Sequence, residues 1–143
     1  MKTREQDYAA TIYDQVKNVK GKGFQDDYKN AAKNLPFLIR SAGLVQALYF
    51  TQTRNTGAET LIKHLAKVME KPTETVADNE LKALAESFLE KVRTKPINEY
   101  IFLTEKCLLA LKWYKRFVDI HIEDKDKKNA TKNEVKEDDN TPK

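Results

Sequence analysis

An all-α, single-domain bundle of five to six helices is the fold the sequence predicts, and three observations carry it. Glycine and proline number only four each in 143 residues, too few for the tight turns of a β-rich chain. Apolar residues recur at steps of three and four in six successive segments, the period of a helix that buries one face. Between those segments stand helix stops: Gly21 and Gly23, Ser41-Ala42-Gly43, Lys71-Pro72 and Lys95-Pro96. The length is that of one domain, so a single core is expected.

The first helix is expected at about residues 4–20. Thr3-Arg4-Glu5-Gln6 has the spacing of a capping box, and Tyr8, Ile12, Val16 and Val19 form its stripe. Asp26 and Asp27 are suited to cap a second helix with Tyr28, Ala31, Ala32 and Leu35 inward, until Pro36 removes an amide and predicts a kink or restart. Leu44, Val45, Ala47, Leu48 and Phe50 make a short third helix, stopped by Arg54-Asn55-Thr56-Gly57. Thr56 and Glu59 repeat the capping-box spacing before a fourth stripe of Ala58, Leu61, Ile62, Leu65, Val68 and Met69. Asp78 is expected to cap the fifth helix, whose stripe is Leu81, Leu84, Ala85, Phe88, Leu89 and Val92. From about 97 to 121 the apolar residues wrap most of the circumference, which predicts a sixth helix at the centre of the bundle with Trp113 buried. The bundle domain is thus expected over 1–122. Residues 123–143 contain one valine and no aromatic residue, so a disordered, charged tail is expected there.

Several classes of function find no support. No apolar run approaches the ~18 residues of a membrane span, and the charged start MKTREQD lacks a secretory signal, so a cytoplasmic protein without membrane contact is expected. One cysteine and two histidines cannot furnish a disulfide or a four-coordinate zinc site, and no metal or cofactor is expected. His64, without a second ligand one turn away, reads as a surface or boundary residue; Cys107, inside an apolar stripe, reads as a small core hydrophobe. Neither G-x-x-x-x-G-K-[ST] nor G-x-G-x-x-G occurs. The acids alternate with lysines on polar faces, the pattern of a solvated surface, so no catalytic residue is nominated.

Positive charge is segregated into the first half. Between 17 and 54, Lys17, Lys20, Lys22, Lys29, Lys33, Arg40 and Arg54 oppose only Asp26 and Asp27, a local net of +5. A second, acid-free run holds Lys106, Lys112, Lys115 and Arg116. Such stretches suit phosphate contact, although a lysine-rich face also serves solubility alone. Tyr13, Tyr28, Tyr49 and Tyr114 lie near them and could stack on bases, yet three fit the apolar stripes better.

Two segments are more specific than generic helices. The first contains Leu35-Pro36-x-Leu38-Ile39 and Gly43-Leu44-x-Gln46-Ala47-Leu48-x-Phe50; the second ends in Lys112-Trp113-x-Lys115-Arg116-Phe117. Together they resemble the small α-helical subunit of the Cmr RNA-targeting complex of type III-B CRISPR systems, over about Arg4 to Asp119. The resemblance implies a non-catalytic subunit that stacks with copies of itself in a minor filament beside the guide-bearing backbone subunit, and helps hold guide RNA and target RNA. Of the basic residues, only Lys115 and Arg116 lie inside the shared motif. Lys17, Lys20, Lys22, Lys29, Lys33, Arg40 and Lys112 join them as expected RNA contacts on charge alone. The tail has no counterpart in that family. Two other readings compete: a helical adaptor that binds only protein, and a small DNA-binding regulator. The segment after Gly43 is too apolar for the recognition helix the latter requires.

Overall fold

The computed structural model describes residues 3–123, and those residues form six α-helices and no strand. They are α1 Arg4–Val19, α2 Gln25–Ala42, α3 Leu44–Gln52, α4 Thr56–Glu70, α5 Asp78–Thr94 and α6 Ile97–His121. The expected tail, apart from Glu123, lies outside the described residues.

Local signals account for most boundaries. Thr3 and Gln6 close the capping box, with the Gln6 amide donating to Thr3 Oγ1 at 3.1 Å and the Thr3 amide to Gln6 Oε1 at 2.8 Å. Gly43 separates α2 from α3 at φ +90°, a conformation that only glycine adopts without strain. The Tyr100 hydroxyl accepts from the Val45 amide at 3.2 Å, tying this corner to the start of α6.

Four local expectations are corrected. Asp26 and Asp27 do not cap α2: Phe24 occupies the cap position with no side-chain bond, and the two acids lie in the first turn, where they complement the helix dipole. Asn55, not Thr56, caps α4, accepting from the Ala58 amide at 2.8 Å. Asp78 is the first helical residue of α5, after an Ala77 cap. Pro36 neither ends nor restarts α2, which runs through it with Leu35 and Ile39 on either side both packed into the core. Packing here overrides the loss of one amide.

The largest correction concerns the centre of the bundle. It is α4 that packs substantially against each of the other five helices, whereas α6 does so against three. Gly57, Ala58, Leu61, Ile62, Leu65, Ala66 and Val68 line its buried side. In contrast α6 flanks the bundle, packing chiefly on α1 and α2. It buries Leu103, Cys107, Ala110, Leu111, Tyr114 and Val118, but leaves Ile97, Ile101, Phe102 and Ile120 exposed. An apolar circumference suggests a helix covered on several sides; part of this one instead faces outward. Trp113 is accordingly half-buried, its ring 5.6 Å from that of Phe117 on the same helix.

A buried polar network crosses the core. The Tyr114 hydroxyl donates to Gln15 Oε1, Gln15 Nε2 donates to the His64 carbonyl at 3.1 Å, and the Tyr28 hydroxyl lies 2.8 Å from His64 Nδ1. The network joins α1, α2, α4 and α6, and every link satisfies a group that would be costly to leave unpaired.

Candidate nucleic-acid interface

The basic residues divide by burial. Lys17, Lys20, Lys22, Arg40, Lys112, Lys115 and Arg116 are exposed, and Lys33 is half-buried. Lys29 is different: it is 4% exposed, donates from Nζ to the carbonyl of Ile122 and lies 3.6 Å from Asp119. Its ammonium meets the carbonyl end of α6, where a helix favours a cation. The expectation that Lys29 faces RNA is therefore corrected, since its charge is committed to closing the bundle. Its spacing with Ala32 and Pro36 places it on the inner side of α2, a signal that charge counting passes over.

Lys33 reaches the same carboxylate, 3.0 Å from Asp119. Lys20, Gln25, Lys29 and Lys33 line an open groove with Asp119 and the 120–123 segment as its other wall. Asp119 thus sits inside the basic surface, just beyond the acid-free run of 106–116.

The packing of α1 against α6 brings two stripes together. On α1 the stripe is Tyr13 and Lys17, continued by Lys20 just past the helix end; on α6 it is Trp113, Arg116, Phe117 and Ile120, residues three or four apart on one side of the helix. Tyr13 registers them. Its ring meets Phe117 edge-on at 5.5 Å and His121 at 4.9 Å between centroids, while Trp113 lies 5.6 Å from Phe117. The Lys17 ammonium lies 6.0 Å from the Tyr13 ring centre. Lys17, Lys20 and Lys33 therefore converge on the last turns of α6. Lys22 lies in the loop between α1 and α2, and Arg40 near the far end of α2.

Groups able to do covalent chemistry are placed otherwise. Cys107 is fully buried, and burial pushes its thiol up to about 12, so it is held as the unreactive thiol. His64 occupies the core boundary beside Tyr28, and desolvation lowers it to about 4, with Asp78 opposing and Lys63 reinforcing the effect. No group of three or more His, Cys, Asp or Glu side chains able to hold a metal occurs among the described residues. None of the described helices is long and apolar enough to cross a membrane.

The described residues thus form a six-helix bundle with a basic seam along α1 and α6. The chain belongs to the Cas_Cmr5 family of CRISPR-associated proteins, whose model matches residues 4–121, the small-subunit family of the type III-B Cmr complex. It is 36% identical over 126 residues to the CRISPR system Cmr subunit Cmr5 of Thermus thermophilus, a match covering 87% of this chain and 100% of that relative. The crystal structure of a CRISPR-associated Cmr5 family protein from Thermus thermophilus superimposes with a TM-score of 0.72 at 33% identity, covering 86% of this chain and 100% of that one. The likeness read from the Leu35, Gly43 and Lys112 motifs is thereby shown.

Proposed function

We propose that this chain is a non-catalytic subunit of an RNA-guided, RNA-targeting type III-B complex, in which it stacks with copies of itself beside the backbone subunit and offers its basic face to the phosphates of guide and target RNA. The observation that carries the RNA contact is the alignment of the Tyr13-Lys17-Lys20 stripe with the α6 stripe containing Arg116. Lys17 and Lys20 of the +5 stretch and Arg116 of the shared motif, far apart in sequence, lie along these two stripes. In a guide-directed assembly base pairing reads the sequence, so a subunit of this kind needs only positive walls at the right spacing. It needs no active site, in keeping with the buried Cys107 and His64.

A purely protein-binding adaptor is the second reading, and one observation favours it. Ile97 and Ile101 are 69% and 53% exposed on the first half of α6, an apolar surface of the kind that marks protein contact. The two readings use different halves of the same helix.

Charge reversal at Lys115 and Arg116 in the assembled complex tests the proposal. Target affinity should fall about equally for every target sequence. The slope of log affinity against log salt should become shallower by roughly 1.4 to 1.8, the release of counterions from two phosphates. An intact assembly with unchanged affinity and unchanged slope would leave only the adaptor reading.

A further inference from the structure

We infer that Tyr13, backed by Phe117 and His121, is a stacking platform for one unpaired base of a bound RNA strand. The inference deepens the RNA reading above and rests on it. Of the four tyrosines near the basic positions, Tyr28 and Tyr114 are fully buried and Tyr49 is half-buried, whereas Tyr13 is 40% exposed. Its ring is also the one held in place by other rings. Edge-on contacts to Phe117 at 5.5 Å and His121 at 4.9 Å fix its plane, so docking a base against it requires little further ordering.

Its neighbours supply what a nucleotide needs besides a flat surface. Lys17 and Lys20 follow Tyr13 on the exposed side of α1, and Arg116 precedes Phe117 on α6, placing cations on both sides of the seam for the phosphates flanking a stacked base. Lys17 lies near the outer limit of a cation–π contact, its ammonium 6.0 Å from the Tyr13 ring centre.

Because every base has a π-face, the platform is indifferent to sequence but selective for unpaired over paired RNA. It therefore adds an affinity component without salt dependence to the counterion term.

The assembled complex is titrated with two probes of equal length, a single-stranded oligouridine and an abasic ribose-phosphate strand. Tyr13→Leu should weaken oligouridine binding roughly 5- to 150-fold, the loss of one stacked base. Abasic binding and the salt slope should be unchanged. Tyr13→Phe, which keeps the ring, should retain wild-type affinity, and thermal melts of both variants confirm the fold. In the isolated chain, whose single tryptophan is Trp113, fluorescence should change on oligouridine addition and not on abasic addition. Equal affinity of wild type and Tyr13→Leu for oligouridine, with the salt-dependent binding intact, overturns the platform and leaves the RNA reading standing. Failure of the wild-type complex to bind either probe overturns both.

Discussion

Gly57→Ala is expected to destabilise the protein by about 3 kcal/mol, the upper part of the usual range for forcing an extra carbon into a packed site. Gly57 is the second residue of α4, where that helix crosses the beginning of α2. A methyl group there would lie 2.5 Å from the Tyr28 amide nitrogen, 2.7 Å from the Phe24 carbonyl oxygen and 2.7 Å from Asp27 Cβ. Two of the three obstacles are backbone, which cannot rotate aside, so the helices must move apart. Tyr28, next to the contact, would be shifted from His64 and from the core it fills. Gly23→Ala is the matched control, because a carbon there meets nothing within 4 Å, and it should be neutral or stabilise by about 0.5 kcal/mol through the unfolded chain. Urea unfolding of both variants decides the matter. A Gly57→Ala midpoint close to that of Gly23→Ala would mean the crossing is looser than these distances imply.

Gly57 also illustrates how far the sequence is legible. Glycine after Arg54-Asn55-Thr56 reads as punctuation that stops the third helix; in three dimensions it lets two helices approach within a helix already begun. Its role depends on a neighbour about thirty residues away, which no local rule contains. Six helices are nonetheless readable in order, because each stripe is long enough for the 3.6-residue period to stand out, and α6 falls at 97–121 as its flanking Pro96 and its last periodic residues predict. Cap identity is less secure. Asn55 and Thr56 are both good cap residues, adjacent in sequence, and it is Asn55 that takes the cap. Burial is ambiguous wherever an apolar residue can face either a neighbour or the outside, as with Ile101 and Phe102 on α6.

The candidate site is legible in composition but not in geometry. Seven of the nine basic positions, named on charge, are exposed. That Lys29 turns inward to Ile122, and that Asp119 draws in both Lys29 and Lys33, follows from the docking of α2 on the end of α6. The aromatic seam is hidden for a similar reason. Tyr13 belongs to no apolar stripe of α1, and its partners Phe117 and His121 lie about a hundred residues further along the chain.

Lowering the pH from 7 to 4 is expected to remove about 3 kcal/mol of stability through His64 alone. Burial is the main cause that brings this imidazole down to about 4, against 6.5 in an unfolded chain; attraction by Asp78 offsets part of it and repulsion by Lys63 adds to it. The folded state therefore favours the neutral ring, and the unfolded state takes up the proton first. Between pH 6.5 and 4 the unfolded chain binds more protons, so stability rises with pH across that window, is fully present above 6.5, and falls by about 1.4 kcal/mol per pH unit on acidification. The Tyr28 hydroxyl, 2.8 Å from Nδ1, fits the neutral ring, which can accept its proton. His64→Gln provides the comparison, since its side-chain oxygen can still accept from Tyr28 but carries no titrating group. Carboxylates contribute to acid sensitivity in both proteins and cancel in the difference. Denaturant unfolding at pH 7, 5.5 and 4.5 should show the wild type losing about 2.5 kcal/mol more than His64→Gln by the lowest pH. Parallel pH profiles for the two proteins would mean that His64 titrates normally and that its ring is wetter than its contact with Tyr28 implies.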